Sequence, residues 1–193
     1  MSHQFHLGDV ETLLDEQKAS SFDLVFTSPP YNCDKSYDEH EDALELPVYL
    51  DWIERVTHKV ARVIRPGGYA VWNVPNYIGS RKKREWMHDE YRTIFSRYIP
   101  FEDLIIWQKH PPAGAAWGCF PHRPIMRAEH EWVIVTRAPG GSGYETGMSW
   151  SEWAKLTRSI WSIPGASHPT HPATFPKELA RRIVMLYSPF NGR

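Results

Sequence analysis

Short apolar runs alternate with amphipathic helical stretches along most of this chain. That alternation restricts it to an α/β sheet wound by helices. FDLVFT (22–27) is a short strand of buried type. In LPVYLDWIERVTHKVARVIRPGG, Leu50, Ile53, Val56, Val60 and Val63/Ile64 recur at helical spacing, and the spacing predicts a helix that stops at Arg65-Pro66-Gly67-Gly68. YAVWNV is the next strand, REWMHDEYRTIFSRY a helix, FEDLIIWQK and EHEWVIVTRA two more strands, and FPKELARRIVMLYS a helix with Pro176 near its start. At the front, FHLGDVETLLDEQ reads as a strand, a turn at Gly8-Asp9 and a helix capped by Asp9 or Thr12. HPPAGAAWGCFPHRP and GGSGYETG are loops, and SWSEWAKLT is a short helical or irregular piece. The whole is expected to be one domain over 1–193, with a loop-rich face around 110–170.

The strand FDLVFT runs into Ser28-Pro29-Pro30-Tyr31. Two prolines fix φ and remove two N–H donors, so the corner cannot continue a sheet. It offers carbonyls, one hydroxyl, and a flat ring with a phenol. In open α/β sheets, ligands bind beyond the carboxyl ends of strands. Such a corner suits the exocyclic amino group of a planar base. The tetrapeptide by itself fits equally well as a turn that only ends a strand.

Net charge is −1, so any nucleic acid must be held by local patches rather than by the chain as a whole. Nine Trp among 193 residues point to an aromatic-rich core or to stacking on flat ligands. Cys33 and Cys119 are too few for a disulfide framework and fit a reducing, cytoplasmic setting. No apolar run approaches the roughly 20 residues of a spanning helix, so no membrane is expected. The N-terminus lacks a signal-peptide pattern. The histidines, as in HPTH (168–171) and HRPIMRAEH (122–130), lack zinc spacing, and no metal is expected.

The segments GD (8–9), DLVFTSPPYN, RPGGYAVWNV, IIWQK, PHRPIMRAEHEWVIV and HPATFPKELARRIVMLYS follow one another in an order that resembles the β class of DNA amino-methyltransferases. The resemblance spans nearly the whole chain. It implies a Rossmann-like, circularly permuted fold with S-adenosylmethionine as cofactor and double-stranded DNA as partner. It also implies roles. Ser28, Pro29, Pro30 and Tyr31 would be catalytic. Asp9 would lie near the cofactor's adenine, and Thr27, His171, Pro172, Phe175, Pro176, Phe190 and Gly192 would complete the cofactor site. Ser at position 28 and the form HPATFP lean towards N4 of cytosine rather than N6 of adenine.

The amine of such a base is a poor nucleophile because its lone pair is delocalised. Hydrogen bonds to Ser28 Oγ and the Pro29 carbonyl would free that lone pair for in-line attack, and no covalent intermediate is needed. Neither cysteine follows a proline, so carbon-5 chemistry has no nucleophile. The base must leave the duplex to react. Tyr31 is the natural stacking plate, and Trp117 or Phe120 either adds a second plate or packs its loop. Arg81, Lys82, Lys83 and Arg84 either grip phosphates or form a solvated face. His122, Arg123 and Arg127 add a second basic cluster.

The family's Gly-rich cofactor loop is matched only at its start, by Pro189-Phe190-Asn191-Gly192. The expectation is a missing C-terminal part, with the chain a truncated form, a natural remnant or a splice around missing segments, and a homodimer or the missing segment as a further partner. Weak cofactor binding would follow. Two other functions compete: a DNA-binding module without catalysis, and an RNA or small-molecule methyltransferase.

Overall fold

A computed structural model describes residues 4–33, 43–79, 84–109, 126, 128–166 and 174–190. Five strands form a mixed sheet in the order β1 (Phe22–Thr27), β2 (Ile64–Val74), β6 (His130–Arg137), β5 (Phe101–Gln108), β7 (Ile160–Ser162). β1 and β2 are parallel, as are β5 and β7, whereas β6 runs antiparallel to both of its neighbours. β3 (Tyr77–Gly79) and β4 (Arg84–Trp86) make a separate small hairpin.

Helices cover both faces. α2 (Leu46–Val63) buries Ile53, Val56, Val60 and Val63, as its spacing predicts, but the stripe begins at Tyr49, and Leu50 is only partly buried. α3 (His88–Tyr98) packs beside it, and Phe95 stacks on Trp72 of β2 with ring centroids 4.3 Å apart. α1 (Val10–Glu16) leans on α2. The opposite face carries α5 (Lys177–Tyr187) and α4 (Trp150–Leu156) over Val71, Val133, Val135, Ile105 and Trp107. Each such side chain taken from water stabilises the fold by roughly 1.5–3 kcal/mol before entropy is counted. Among the described residues, no helix is long and apolar enough to cross a membrane.

Several expectations are corrected. Phe5–Leu7 form no strand; both apolar side chains are fully exposed, and no neighbouring strand pairs with them among the described residues. Arg65–Gly68 are not a free turn, because α2 passes directly into β2 with a bulge against β1. Gly67 takes φ +77° there, and a Cβ on it would meet the Gly140 carbonyl oxygen at 2.9 Å. The brake residues are therefore consumed in packing the bulge against the 138–141 turn. Arg84–Trp86 belong to the hairpin rather than to α3. β1 is an edge strand and only half-buried, except for Asp23. β7 follows α4 where no strand was expected; three residues are too few for a period to show.

Candidate active site

The carboxyl ends of β1, β2 and β5 and the start of β6 meet at one edge of the sheet, where a cavity of about 620 Å³ opens. The volume suits a ligand of drug or cofactor size. Strand pairing explains what lines it. Asn73 pairs with Val133, and Trp107 pairs with Glu131. Side chains two residues apart on a strand share a face. Asn73, Glu131 and Trp107 therefore continue the apolar face of Val71, Val133 and Ile105, and at the sheet's end that face turns polar.

Ser28-Pro29-Pro30-Tyr31 all line this cavity. Tyr31 Oη donates to Glu131 Oε2 at 2.9 Å and accepts from Asn73 Nδ2 at 2.8 Å. Ser28 Oγ lies 2.8 Å from Tyr31 Oη. Asn73 Nδ2 also donates to Glu131 Oε2 at 2.7 Å. Lys109 Nζ closes the network on Glu131 Oε1. Burial, reinforced by the Glu131 charge, raises the Tyr31 phenol well above its ordinary acidity range, so the hydroxyl remains a donor. The corner is braced from below: Asn32, at φ +51°, donates from Nδ2 to the Leu44 carbonyl at 2.7 Å and accepts from the Leu44 amide at 2.6 Å. Asn is among the few residues that adopt this conformation readily.

Three buried polar atoms on or beside the cavity have no hydrogen-bond partner among the described residues: Asn73 Oδ1, Asn76 Oδ1 and Thr174 Oγ1. Unmet buried acceptors normally have a ligand or water to serve. With the apolar face of Phe175, which lies 4.9 Å from the Phe26 ring, they fit a ligand that is partly aromatic and carries amino or hydroxyl groups. This acceptor set therefore suits a nucleoside-bearing cofactor or an extruded base.

The other expected residues are dispersed. Thr27 ends β1 opposite Trp72. Asp9 does not line the cavity; its carboxylate caps α1 through the Thr12 amide at 3.0 Å, a bond that lowers its pKa. Pro176 is the N-cap of α5. Phe190 is exposed, with its ring against Gly147. Arg84 lies over the Tyr77 ring at 4.2 Å and donates to the Met126 carbonyl at 3.2 Å, on the hairpin that rims the cavity. Arg81, Lys82, Lys83, Trp117, Phe120, His122, Arg123, Arg127, His171, Pro172 and Gly192 lie outside the described residues.

Sequence reasoning missed Asn73, Lys109 and Glu131. The available signal was a polar residue inside or beside an apolar strand, in YAVWNV, IIWQK and HEWVIV. A buried polar position of that kind is informative.

Comparison with known proteins accords with this geometry. A family model described as DNA methylase, covering N6 and N4 methyltransferases, matches residues 22–192. The type II methyltransferase M.MjaVI of Methanocaldococcus jannaschii is 26% identical over 153 residues, covering 76% of this chain and 79% of that protein. The type II methyltransferase M.MthZI of Methanothermobacter thermautotrophicus is 26% identical over 216 aligned positions, covering 91% of this chain and 61% of that protein. This chain thus spans less than two thirds of that second relative. A Thermus thermophilus structure described as a DNA modification methylase complexed with S-adenosyl-L-methionine superposes with a TM-score of 0.74 at 28% identity, covering 97% of this chain and 75% of that one.

Proposed function

Because the chain belongs to the DNA methylase family of N6 and N4 amino-methyltransferases, we propose that it transfers a methyl group from S-adenosylmethionine to N4 of cytosine in double-stranded DNA. The observation that carries this reading is the Ser28–Tyr31 corner at the cavity mouth, with its hydroxyls held by Asn73 and Glu131. The choice of N4 rests on Ser rather than Asp at position 28 and on the HPATFP segment.

The cofactor supplies an electrophilic methyl group on a sulfonium. Phe175 and Thr174 would hold it, together with Thr27 and Pro176. Ser28 Oγ and the Pro29 carbonyl accept hydrogen bonds from the target amine and orient its lone pair towards the methyl carbon. Positioning of this kind supplies most of the rate, since the reaction is a single displacement between two bound partners. The base reaches the site by leaving the duplex, with the Tyr31 ring as one wall. Arg84 on the hairpin, with the basic residues of 81–83 and 122–127, meets the DNA backbone. The names of the relatives support a role in type II restriction-modification, and a DNA substrate fits action in the cytoplasm.

Incubation with tritiated cofactor and duplex DNA or RNA tests the reading. Label enters DNA, and Ser28→Ala lowers the rate about 100-fold, the typical cost of one transition-state hydrogen bond. Label in RNA alone, or undiminished transfer by Ser28→Ala, overturns it.

A further inference from the structure

We propose that Glu131 is the terminal proton acceptor of methyl transfer, reached from the target amine through Ser28 and Tyr31. The inference rests on the amino-methylation reading above. Methylation of an exocyclic NH2 forms a C–N bond from the nitrogen lone pair while the C–S bond breaks, its electron pair passing to sulfur. The nitrogen is then positively charged and still carries both hydrogens, so one proton must leave.

The hydrogen bonds give that proton a direction. Tyr31 has one hydroxyl proton and three candidate acceptors: Ser28 Oγ at 2.8 Å, Glu131 Oε2 at 2.9 Å and the Asn73 carbonyl at 3.4 Å. Of these the carboxylate is the only charged acceptor, and it takes the proton, since a charge-assisted hydrogen bond is the stronger one. Ser28 must then donate across its 2.8 Å contact with Tyr31, which leaves the Ser28 lone pairs facing the cavity. An amine N–H donating to Ser28 completes a chain in which every donor points towards Glu131. When the proton moves, the amine N–H breaks, each hydroxyl passes on its proton and receives another, and one O–H bond forms at Glu131. Glu131 is buried, at 8% exposure. The groups around it are Lys109 from the end of β5, Asn73 from β2, Tyr31 beyond β1, and the adjacent His130, whose ring contacts Asn76. Lys109 Nζ pairs with Glu131 Oε1 on the side away from Tyr31 and Asn73, which both bond Oε2.

Single-turnover methylation of duplex DNA is measured for the wild type, Tyr31→Phe, Glu131→Gln and the double variant. Each single change slows transfer about 100-fold, as loss of a proton-transfer partner does, and the double variant is no slower than either. The wild-type rate falls at acidic pH as the carboxylate is protonated, and Glu131→Gln lacks that limb. Losses that multiply in the double variant, or an unchanged acid limb in Glu131→Gln, overturn the proposal. Tyr31→Phe leaves the Glu131–Lys109 pair intact and keeps the test valid if Glu131→Gln folds poorly. The infrared difference between wild type and Glu131→Gln, without cofactor or DNA, reads the ionisation directly. An ionised carboxylate band supports the assignment, and a protonated-acid band overturns it. Wild type that folds and shows the carboxylate band but leaves DNA unmethylated counts against the functional reading and, with it, against the proton's source.

Discussion

Tyr49 Oη donates to the Pro30 carbonyl at 2.9 Å, so a fully buried tyrosine of α2 props the Ser28–Tyr31 corner from beneath. Its partner Tyr91 of α3 lies 2.8 Å away, and burial raises the Tyr91 phenol well above its ordinary range. With the Tyr49 proton committed to Pro30, Tyr91 donates to Tyr49. The helix layer thereby fixes the height of the corner above the sheet.

Tyr49→Phe leaves the Pro30 carbonyl and the Tyr91 hydroxyl without this partner. Loss of stability is expected at about 1–2 kcal/mol, the cost of orphaning buried hydrogen-bonding groups. A lowered urea midpoint at unchanged slope checks it. An unchanged midpoint means that water replaces the bond and that the prop contributes little.

Lys109→Met strands the buried Glu131 carboxylate. Stability is expected to fall by about 3 kcal/mol, as when one partner of a buried pair is removed. Adding Glu131→Gln should recover most of that loss. A double-mutant cycle in urea measures the coupling. Additive losses would show that the two residues act independently.

α5 carries an acid-sensitive staple. Its Glu178 carboxyl is bonded by Arg181 and Arg182 and is held down at about 2, against an ordinary 4.5. A depressed folded pKa stabilises the fold above the unfolded value and loses that effect as pH falls towards the folded one. The stability gap between wild type and Glu178→Gln should therefore be full above about pH 4.5 and close towards pH 2. Part of the pair is exposed, so added salt should narrow the gap as well. Urea midpoints across that pH range check it. A gap that widens on acidification contradicts the assignment.

The helices and long strands were legible because each writes its own period: the stripe of α2, the apolar run of β6, the Asp9 cap of α1. The Ser28–Tyr31 corner was legible as a corner at a strand's end because two prolines after an apolar run have a local meaning. The floor of the site was not. Asn73, Lys109 and Glu131 lie on or beside three different strands, and only the pairing of Asn73 with Val133 and of Trp107 with Glu131 brings them together. Register between strands is not written in any one of them. Arg65–Gly68 misled for the same reason, since their role as a bulge depends on Gly140 and Gly141, far along the chain.

Methylation of a cytosine amine at the Ser28–Tyr31 corner leaves a product that identifies both the base and the atom modified. Nucleoside mass spectrometry of duplex DNA treated with the protein and S-adenosylmethionine tests it most directly. The expected product is N4-methylcytosine, lost in Ser28→Ala. N6-methyladenine as the sole product would contradict the choice of base, and 5-methylcytosine would contradict the chemistry of the site.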